Sequence, residues 1–403
     1  MVVALLGLLI AATQQSQAQT LTTLFSFNGT DGWEPWGGLV LHGGNLYGTT
    51  QQGGGTGWGG GNGVAFAVNV KKKTETVLYA FCYSLECVEG PPSGGFVRDS
   101  KGNLYGTSGG GYYSEPGQIY EITAGGTAEL LYSFTGTPDG SIPAAPLIIG
   151  AKGNLYGTTG VGGVSPQGQC PGPNSCGTVF EWSPTSGEKV LYSFQGVPDG
   201  MWPEAGLLRS KSNFYGTTYY GGSDNCGYGC GIVFEVTAKE KEKVIYAFQG
   251  GSDGCHPTAG LIADKAGNFY GTTNGPTEWD SCAPGTVFEL TTSGTERVLY
   301  EFCAAQNCAD GANPNGGVVM DAASNLYGTT WAGGAYGEGT VFELSPQGVE
   351  TVLYSFCPTG YYNDCPDGAY PRGSLVRDAK GNLYGVTSQG GAYGGGTVFK
   401  LTP

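Results

Sequence analysis

The chain has 403 residues, a formal net charge of −15 and 76 glycines. Its acidic balance disfavours binding to nucleic acid or to anionic lipid, because an acidic surface does not attract phosphate groups. Glycine follows no three-residue period and proline is not in excess, which excludes a collagen-like chain. With 25 Tyr, 17 Phe and 7 Trp, the chain can still bury a substantial core.

The first residues form an apolar run, followed by a polar stretch and the triplet Ser16-Gln17-Ala18. This order is typical of a secretory signal peptide, and we expect residues 1–18 to be removed by cleavage after Ala18. The run is shorter than the ~20 apolar residues of a membrane helix, and no later segment approaches that length. We therefore expect an exported protein, extracellular or periplasmic, that does not insert into a membrane.

One phrase, GNLYGTT, recurs seven times with small variations and starts at residues 44, 102, 153, 212, 267, 324 and 381. Three other segments recur with it: a crossing of the form DG-x-x-P-x followed by GLV, the segment GTVFEL and the segment LYSF. Each unit thus holds four short β-type segments, and the spacing drifts only between them. Four strands in about fifty residues are typical of a β-propeller blade. The phrase is therefore interpreted as scaffold, and not as a phosphate or sugar site.

The two ends of the chain favour a closed ring. A lone LFSF strand lies at residues 24–27, and the last unit ends on GTVFKL at 396–401 without its own LYSF. A parallel β-helix would need capping segments at both ends, whereas a ring can take the missing strand from the N-terminus. We predict an all-β fold, a seven-bladed β-propeller of four-stranded antiparallel blades over residues 19–403, closed by the N-terminal strand. From the axis outwards, the strands are GLV (A), NLYGTT (B), GTVFEL (C) and LYSF (D).

Twelve cysteines occur, most of them in close pairs. Zinc is the alternative to disulfides, but histidine is nearly absent and the spacings vary. We predict six bridges, Cys82–Cys87, Cys170–Cys176, Cys226–Cys230, Cys255–Cys282, Cys303–Cys308 and Cys357–Cys365. All twelve residues fall in connections between strands B and C or in crossings from D to the next A. These connections share one face of the disc, called the cysteine face below.

Two positions of the crossing vary within a constant frame. The residues before the proline are Glu34, Pro91, Ile142, Trp202, His256, Asn313 and Tyr370; those after it are Trp36, Ser93, Ala144, Glu204, Thr258, Asn315 and Arg372. We expect both sets to surround the mouth of the central channel. The candidate ligand-binding residues are Glu34, Trp36, Trp202, Glu204, His256, Asn315, Tyr370 and Arg372, with Trp202 and Tyr370 as aromatic anchors.

Aromatic residues of the connections from B to C lie around these positions. They are Trp58, Tyr112, Tyr113, Tyr219, Tyr220, Trp279, Trp331, Tyr336 and Tyr393. For most of them, packing under their own loop is the favoured interpretation.

Other chemistry is less well supported. A ring of Asp-Gly pairs in the crossings suggests calcium, but an Asp-Gly turn explains it more simply. The glycine strings lack the lysine of a phosphate-binding loop. The two histidines, His42 and His256, have no nucleophile motif beside them. We predict no catalytic residue, no metal site and no cofactor.

The repeat unit resembles the GloVer-type tandem repeat of exported bacterial "choice-of-anchor" proteins over essentially the whole mature chain. The resemblance implies a surface or secreted repeat protein and brings no catalytic residues with it. We predict a secreted, monomeric binding protein that presents an aromatic-rich, disulfide-linked face to a carbohydrate or an extracellular protein. Two alternatives stay open: a glycan-cleaving enzyme that uses carboxylates such as Glu34 and Glu204, which need a spacing of roughly 5 to 10 Å, and a purely structural or adhesive protein.

Overall fold

The computed structural model of the protein describes residues 19–55, 61–81, 90–109, 116–165, 170, 176–223, 225–237, 239–276, 282–359 and 364–402. Its strands form seven four-stranded antiparallel sheets, which are the blades of a seven-bladed β-propeller. The predicted fold is therefore confirmed. Single 3₁₀ turns occur at Ala151–Gly153 and Gln306–Cys308. The described part of the chain contains no helix of the length and apolarity needed to cross a membrane.

The strands follow the chain order within each blade. The first strand, β1 (Thr20–Ser26), belongs to blade 7. Blade 1 contains β2 (Trp33–His42), β3 (Asn45–Gln52), β4 (Val64–Asn69) and β5 (Thr74–Ala80). Blade 2 contains β6 (Val97–Arg98), β7 (Leu104–Ser108), β8 (Gln118–Ile122) and β9 (Ala128–Ser133). Blade 3 contains β10 (Ile148–Ile149), β11 (Leu155–Thr159), β12 (Thr178–Ser183) and β13 (Gly187–Ser193).

Blade 4 has an additional ladder. Besides β15 (Leu208–Ser210), β16 (Asn213–Thr218), β18 (Ile232–Val236) and β19 (Glu242–Ala247), the short strands β14 (Gly200–Met201) and β17 (Tyr220–Gly221) pair with each other. Blade 5 contains β20 (Ile262–Ala263), β21 (Phe269–Thr273), β22 (Thr286–Leu290) and β23 (Glu296–Glu301). Blade 6 contains β24 (Val319–Met320), β25 (Leu326–Thr330), β26 (Thr340–Leu344) and β27 (Glu350–Ser355). Blade 7 contains β28 (Ala369–Arg377), β29 (Leu383–Gln389) and β30 (Thr397–Thr402).

The ring closes through its two termini. In blade 7 the sheet order is β28-β29-β30-β1, so that the first strand of the chain is the outermost strand of the last blade. The antiparallel register runs from Thr20 opposite Thr402 to Ser26 opposite Thr397. This is the closure predicted from the lone LFSF segment.

Neighbouring blades are joined by a repeated aromatic contact. The phenylalanine that ends each LYSF segment packs edge-on against the aromatic ring of GTVFEL in the next blade, with ring centroids 5.0 to 5.2 Å apart. The pairs are Phe27–Phe66, Phe81–Tyr120, Phe134–Phe180, Phe194–Phe234, Phe248–Phe288, Phe302–Phe342 and Phe356–Phe399. Each such pair contributes about 0.5 to 1.5 kcal/mol beyond the area it buries. The core of the molecule is therefore a ring of interfaces between sheets.

The phrase GNLYGTT serves these interfaces. A Cβ atom on its glycine would meet a ring of its own blade, as at Gly328, where the distance to Phe342 would be 2.5 Å. Its first threonine reaches the next blade: Thr272 Oγ1 donates to the carbonyl of Gly316 at 3.1 Å. The phrase is scaffold, as the sequence indicated.

Glycines also bring the innermost strands to the axis. A Cβ on Gly37 would lie 2.8 Å from the backbone nitrogen of Gly95, and one on Gly317 would lie 2.9 Å from the carbonyl oxygen of Gly260. At these two positions a side chain would collide with the backbone of the neighbouring blade.

Candidate functional site

The residues that follow the seven crossing prolines meet at the propeller axis. Trp36, Ser93, Ala144, Glu204, Thr258, Asn315 and Arg372 line one cavity of about 200 Å³, called the axial cavity here. The remaining lining consists mainly of glycine backbone from the same seven segments. Each of the seven side chains is half-buried. The frame of the crossings predicts this set at the channel mouth, and the structure brings all of its members together.

Arg372 and Trp36 form the most distinctive contact of the axial cavity. The guanidinium carbon lies 3.7 Å from the centre of the Trp36 ring, a cation–π geometry. The two residues belong to blades 7 and 1, which are adjacent only because the ring closes. Burial lowers the pKa of Arg372 to about 10, and the negative charge of Glu34 opposes this shift.

Arg372 has no direct anionic partner in the part of the chain that the structure describes. No described carboxylate forms an ion pair with it, and its buried Nε lacks a hydrogen-bond acceptor among these residues. Glu34, the nearby carboxylate, instead accepts a 2.9 Å hydrogen bond from Gln52. The guanidinium is therefore fixed by the Trp36 ring and keeps donors available.

Glu204 supplies a carboxyl group to the same cavity. Burial raises its pKa to about 7, so that the side chain is partly protonated near neutral pH. It is the only acidic residue among the described residues that line the cavity. Glu34, proposed from the sequence as its possible catalytic partner, does not line the cavity. The pairing of these two carboxyl groups as a glycosidase site stays a prediction.

The residues before the prolines have a backbone role. Glu34, Ile142, Trp202, His256, Asn313 and Tyr370 all have φ between +55° and +58°, a conformation that is unfavourable for residues other than glycine. Their N–H groups donate to the preceding blade, as from Trp202 to the carbonyl of Cys176 at 3.0 Å. None of them lines the axial cavity as described. Of the eight candidate residues, four line the cavity (Trp36, Glu204, Asn315 and Arg372) and four do not.

Aromatic stacks hold these other side chains. His256 is fully buried and stacks on Tyr219, with ring centroids 4.5 Å apart. Tyr370 stacks on Trp331 at 4.9 Å, and Trp202 packs edge-on against Tyr220 at 5.4 Å. These rings have structural contacts, and their role as ligand anchors stays a prediction.

The remaining aromatic residues of the loops differ in exposure. Tyr336 and Tyr393 are exposed on the cysteine face. Trp58, Tyr112, Tyr113 and Trp279 lie outside the described residues.

Several buried polar atoms near the crossings lack a hydrogen-bond partner among the described residues. They include Nε1 of Trp202, Nε1 of Trp331, Oγ1 of Thr258, Oδ1 of Asn274 and Nε of Arg372. Buried polar atoms are normally paired, so unpaired ones suit a polar ligand or solvent. Asn274 was not a candidate from sequence, because it lies in a variable loop without a repeated frame.

Disulfides hold the loops of this face. The structure contains Cys170–Cys176, Cys226–Cys230, Cys255–Cys282, Cys303–Cys308 and Cys357–Cys365, five of the six expected pairs. The sixth, Cys82–Cys87, lies outside the described residues. Two bridges are close together, since the sulfurs of Cys226 and Cys282 are 3.8 Å apart.

The aspartates of the crossings are engaged in turns. Asp367, for example, accepts hydrogen bonds from the Tyr354 hydroxyl at 2.7 Å and from the backbone N–H of Cys357 at 3.2 Å. Asp139, Asp199, Asp253 and Asp310 bind the equivalent tyrosines in the same way. These contacts support the Asp-Gly turn interpretation of the crossings.

The chain is similar to several solved structures and to one family of repeat sequences. Similar solved structures include a protein of unknown function from Bacteroides thetaiotaomicron, with 12% identity over 96% of this chain and 76% of that one, at a TM-score of 0.45. TolB from Acinetobacter baumannii has 12% identity over 76% and 62% of the two chains, at 0.41. A luciferin-regenerating enzyme has 13% identity over 96% and 95%, at 0.45. No curated protein matches the sequence.

The family assignment comes from the sequence of the repeats. The Gloeobacter/Verrucomicrobia repeat matches residues 7–171, 169–306 and 228–403, which together span almost the whole chain. These matches contain all seven copies of the GNLYGTT phrase and the strands built from them. The chain belongs to the Gloeobacter/Verrucomicrobia repeat family.

Proposed function

We propose that the protein is an exported binding module that holds a carbohydrate group in the axial cavity on its cysteine face. One observation carries the proposal: the seven blades contribute seven different residue types to a single cavity, within an otherwise repeated frame. A scaffold alone would be served by equal residues at equal positions. Concave sites with convergent polar groups are the usual places for small ligands.

The chemistry of the lining favours a polyhydroxylated ligand. Hydroxyl groups of Ser93 and Thr258, the amide of Asn315 and the charged groups of Glu204 and Arg372 surround the cavity, together with glycine backbone. Each sugar hydroxyl both donates and accepts hydrogen bonds, which such a lining can satisfy. A volume of about 200 Å³ suits one sugar unit and not an extended surface of another protein.

A glycan-cleaving activity is the weaker alternative. Glycoside hydrolysis by the common mechanisms needs two carboxyl groups on either side of the scissile bond. Among the residues that line the described cavity, Glu204 is the only carboxyl group. Binding without cleavage is therefore the function that the geometry supports better.

A blocked cavity tests this proposal. We expect the purified protein to bind one or more sugars on a glycan array, and Ala144→Phe to abolish that binding because the larger side chain fills the cavity. Ala266→Phe is the matched control, since Ala266 is exposed in the turn between β20 and β21. Thermal unfolding should show that both variants are folded. Binding that survives Ala144→Phe would place the ligand elsewhere, and an array without any signal would count against a carbohydrate ligand.

A further inference from the structure

The arginine of the axial cavity is unusual in its surroundings. Acidic residues outnumber basic ones in the chain, 33 to 18. The charged group that stacks on Trp36 in the axial cavity is nevertheless a cation, the guanidinium of Arg372. At the six equivalent positions of the other blades stand Trp36, Ser93, Ala144, Glu204, Thr258 and Asn315. The repeat itself therefore does not require a basic residue at this position.

The cost of burying this cation is offset only in part within the described protein, by the Trp36 ring and by the negative charge of Glu34. Burial of a charge is unfavourable unless a counter-charge or hydrogen bonds compensate it. Arg372 is half-buried, its Nε lacks an acceptor, and no described carboxylate lies within ion-pair distance. The Trp36 ring lies over the guanidinium at 3.7 Å, but it provides no acceptor for the Nε–H group. An anionic ligand would supply the missing acceptors.

From this arrangement we infer that Arg372 binds the carboxylate of an acidic sugar, so that the axial cavity recognises a uronate. The inference rests on the proposed function and specifies its ligand. A guanidinium presents parallel N–H donors that match a carboxylate in a bidentate pair. The polar groups of Ser93, Thr258 and Asn315 are placed around the same cavity for the hydroxyls of the sugar ring.

A monocarboxylate fits the charge of the cavity better than a phosphate or a sulfate ester. Arg372 is the only basic residue among the described residues that line it, and Glu204 contributes a group that can become negative. A dianionic phosphate would meet one cation and a repelling carboxylate, whereas phosphate sites normally gather several donors. The neutral, protonated form of Glu204 can in addition donate a hydrogen bond to a ligand oxygen.

The test compares acidic sugars with their closest neutral forms. D-Glucuronate and D-galacturonate are titrated calorimetrically against glucose and galactose, the methyl esters of the two uronates, and the corresponding 6-phosphates. We expect at least one uronate to bind roughly tenfold or more tightly than its neutral parent and its methyl ester, on the scale of a charge-assisted hydrogen bond. A sugar phosphate should bind more weakly than that uronate.

Variants of the arginine complete the test. Arg372→Gln should reduce uronate binding to that of the neutral sugar, and Arg372→Lys should keep part of the preference because it keeps the charge. Arg377→Gln is the matched control, since Arg377 lies on the same strand and faces the Tyr327 ring at 5.8 Å without lining the described cavity. Thermal unfolding establishes that each variant is folded.

The possible failures are distinguishable. Neutral sugars or methyl esters that bind as tightly as the uronates would overturn the carboxylate inference and leave the proposed function standing. A tighter phosphate would overturn it as well, in favour of a different anion. If the wild-type protein binds none of these sugars and nothing on the array, the proposed function fails and the inference fails with it.

Discussion

At the scale of single residues, the glycine of the Asp-Gly crossing shows why the same residue recurs at one position of the repeat. Gly311 has φ of +102°, and a Cβ there would lie 2.5 Å from Thr330 Oγ1. That hydroxyl cannot move freely, because it is hydrogen-bonded to Thr340 Oγ1 at 2.8 Å and to the carbonyl of Ala332 at 2.9 Å. The glycine is thus needed for both its backbone angle and its lack of a side chain.

Gly311→Ala should therefore destabilise the protein more than the same change at an open glycine. Gly187 also has a positive φ, +77°, but no described atom lies within 4 Å of a Cβ built on it. Both variants carry the cost of the backbone angle, and Gly311→Ala adds about 1 to 3 kcal/mol of steric strain. Urea denaturation of the two variants measures the difference. Equal losses would mean that the backbone angle alone selects glycine in the crossing.

At the scale of strands, five of the blades bring two carboxyl groups close together. A glutamate at the start of a D strand lies near the aspartate of the crossing that leads into its blade, in the pairs Glu75–Asp31, Glu188–Asp139, Glu242–Asp199, Glu296–Asp253 and Glu350–Asp310. Burial first, and the neighbouring aspartate second, raises the pKa of these glutamates to about 7, or to about 8 for Glu242. Each Oε1 is buried without a partner among the described residues.

These pairs make stability depend on pH in a defined direction. Between the ordinary glutamate pKa of 4.5 and the folded value of about 7, folded Glu350 holds a proton that the unfolded chain has lost. The free energy of unfolding therefore falls as pH rises through this window, since the unfolded state binds fewer protons. Above it, the folded protein bears the full cost of a buried carboxylate beside Asp310.

Glu350→Gln should accordingly raise the melting temperature at pH 8 and change it little at pH 5, because the amide resembles the protonated carboxyl group. The exposed Glu301 serves as the control, and Glu301→Gln should not produce a pH-dependent gain. Thermal unfolding of both variants and the wild type at the two pH values decides the matter. A gain of equal size at pH 5 and pH 8 would show that the charge of Glu350 is not its cause.

At the scale of the whole molecule, the propeller fold could be predicted because the same strand segments are repeated seven times. Each blade repeats the GNLYGTT strand and the phenylalanine of strand D. The lone LFSF segment supplies the strand that the last blade lacks, so that seven blades close into one ring. Arg372 and Trp36 show the limit, because they are 336 positions apart in the chain and meet only after blades 7 and 1 become neighbours. Their position after the crossing proline predicted their place at the axis. Their contact with each other depends on how the two side chains are oriented between blades 7 and 1.

The sequence also did not predict in which direction the side chains on either side of the crossing prolines point. The residues before and after each proline are only two positions apart, and the frame of the crossings predicts both sets at the channel mouth. The positive φ of Trp202, His256 and Tyr370 turns the first set into aromatic stacks, while the second set lines the cavity. A positive φ is usually recognised from a glycine in the sequence, and these variable positions are not glycine.

The integrity of the ring depends on the strand that the N-terminal segment gives to blade 7. β1 pairs with β30 over its whole length, and Phe27, which is fully buried, connects this blade to Phe66 of blade 1 at 5.0 Å. Deletion of residues 19–30 removes both contacts, exposes the edge of β30 and opens the seam at which Arg372 meets Trp36. An exposed sheet edge also invites pairing with another chain. We therefore expect this deletion to lower the melting temperature strongly or to produce oligomers in size-exclusion chromatography.

A circular permutant is the control that separates closure from the mere loss of residues. Joining residue 402 to residue 20 through a short glycine-rich linker, and opening the chain in the turn between β26 and β27, keeps every strand in its place while moving the termini. The permutant should remain monomeric and melt close to the wild type, because the β1–β30 pairing and the Phe27 contact are retained. If the deletion variant instead unfolds at the wild-type temperature as a monomer, the N-terminal strand does not hold the ring closed.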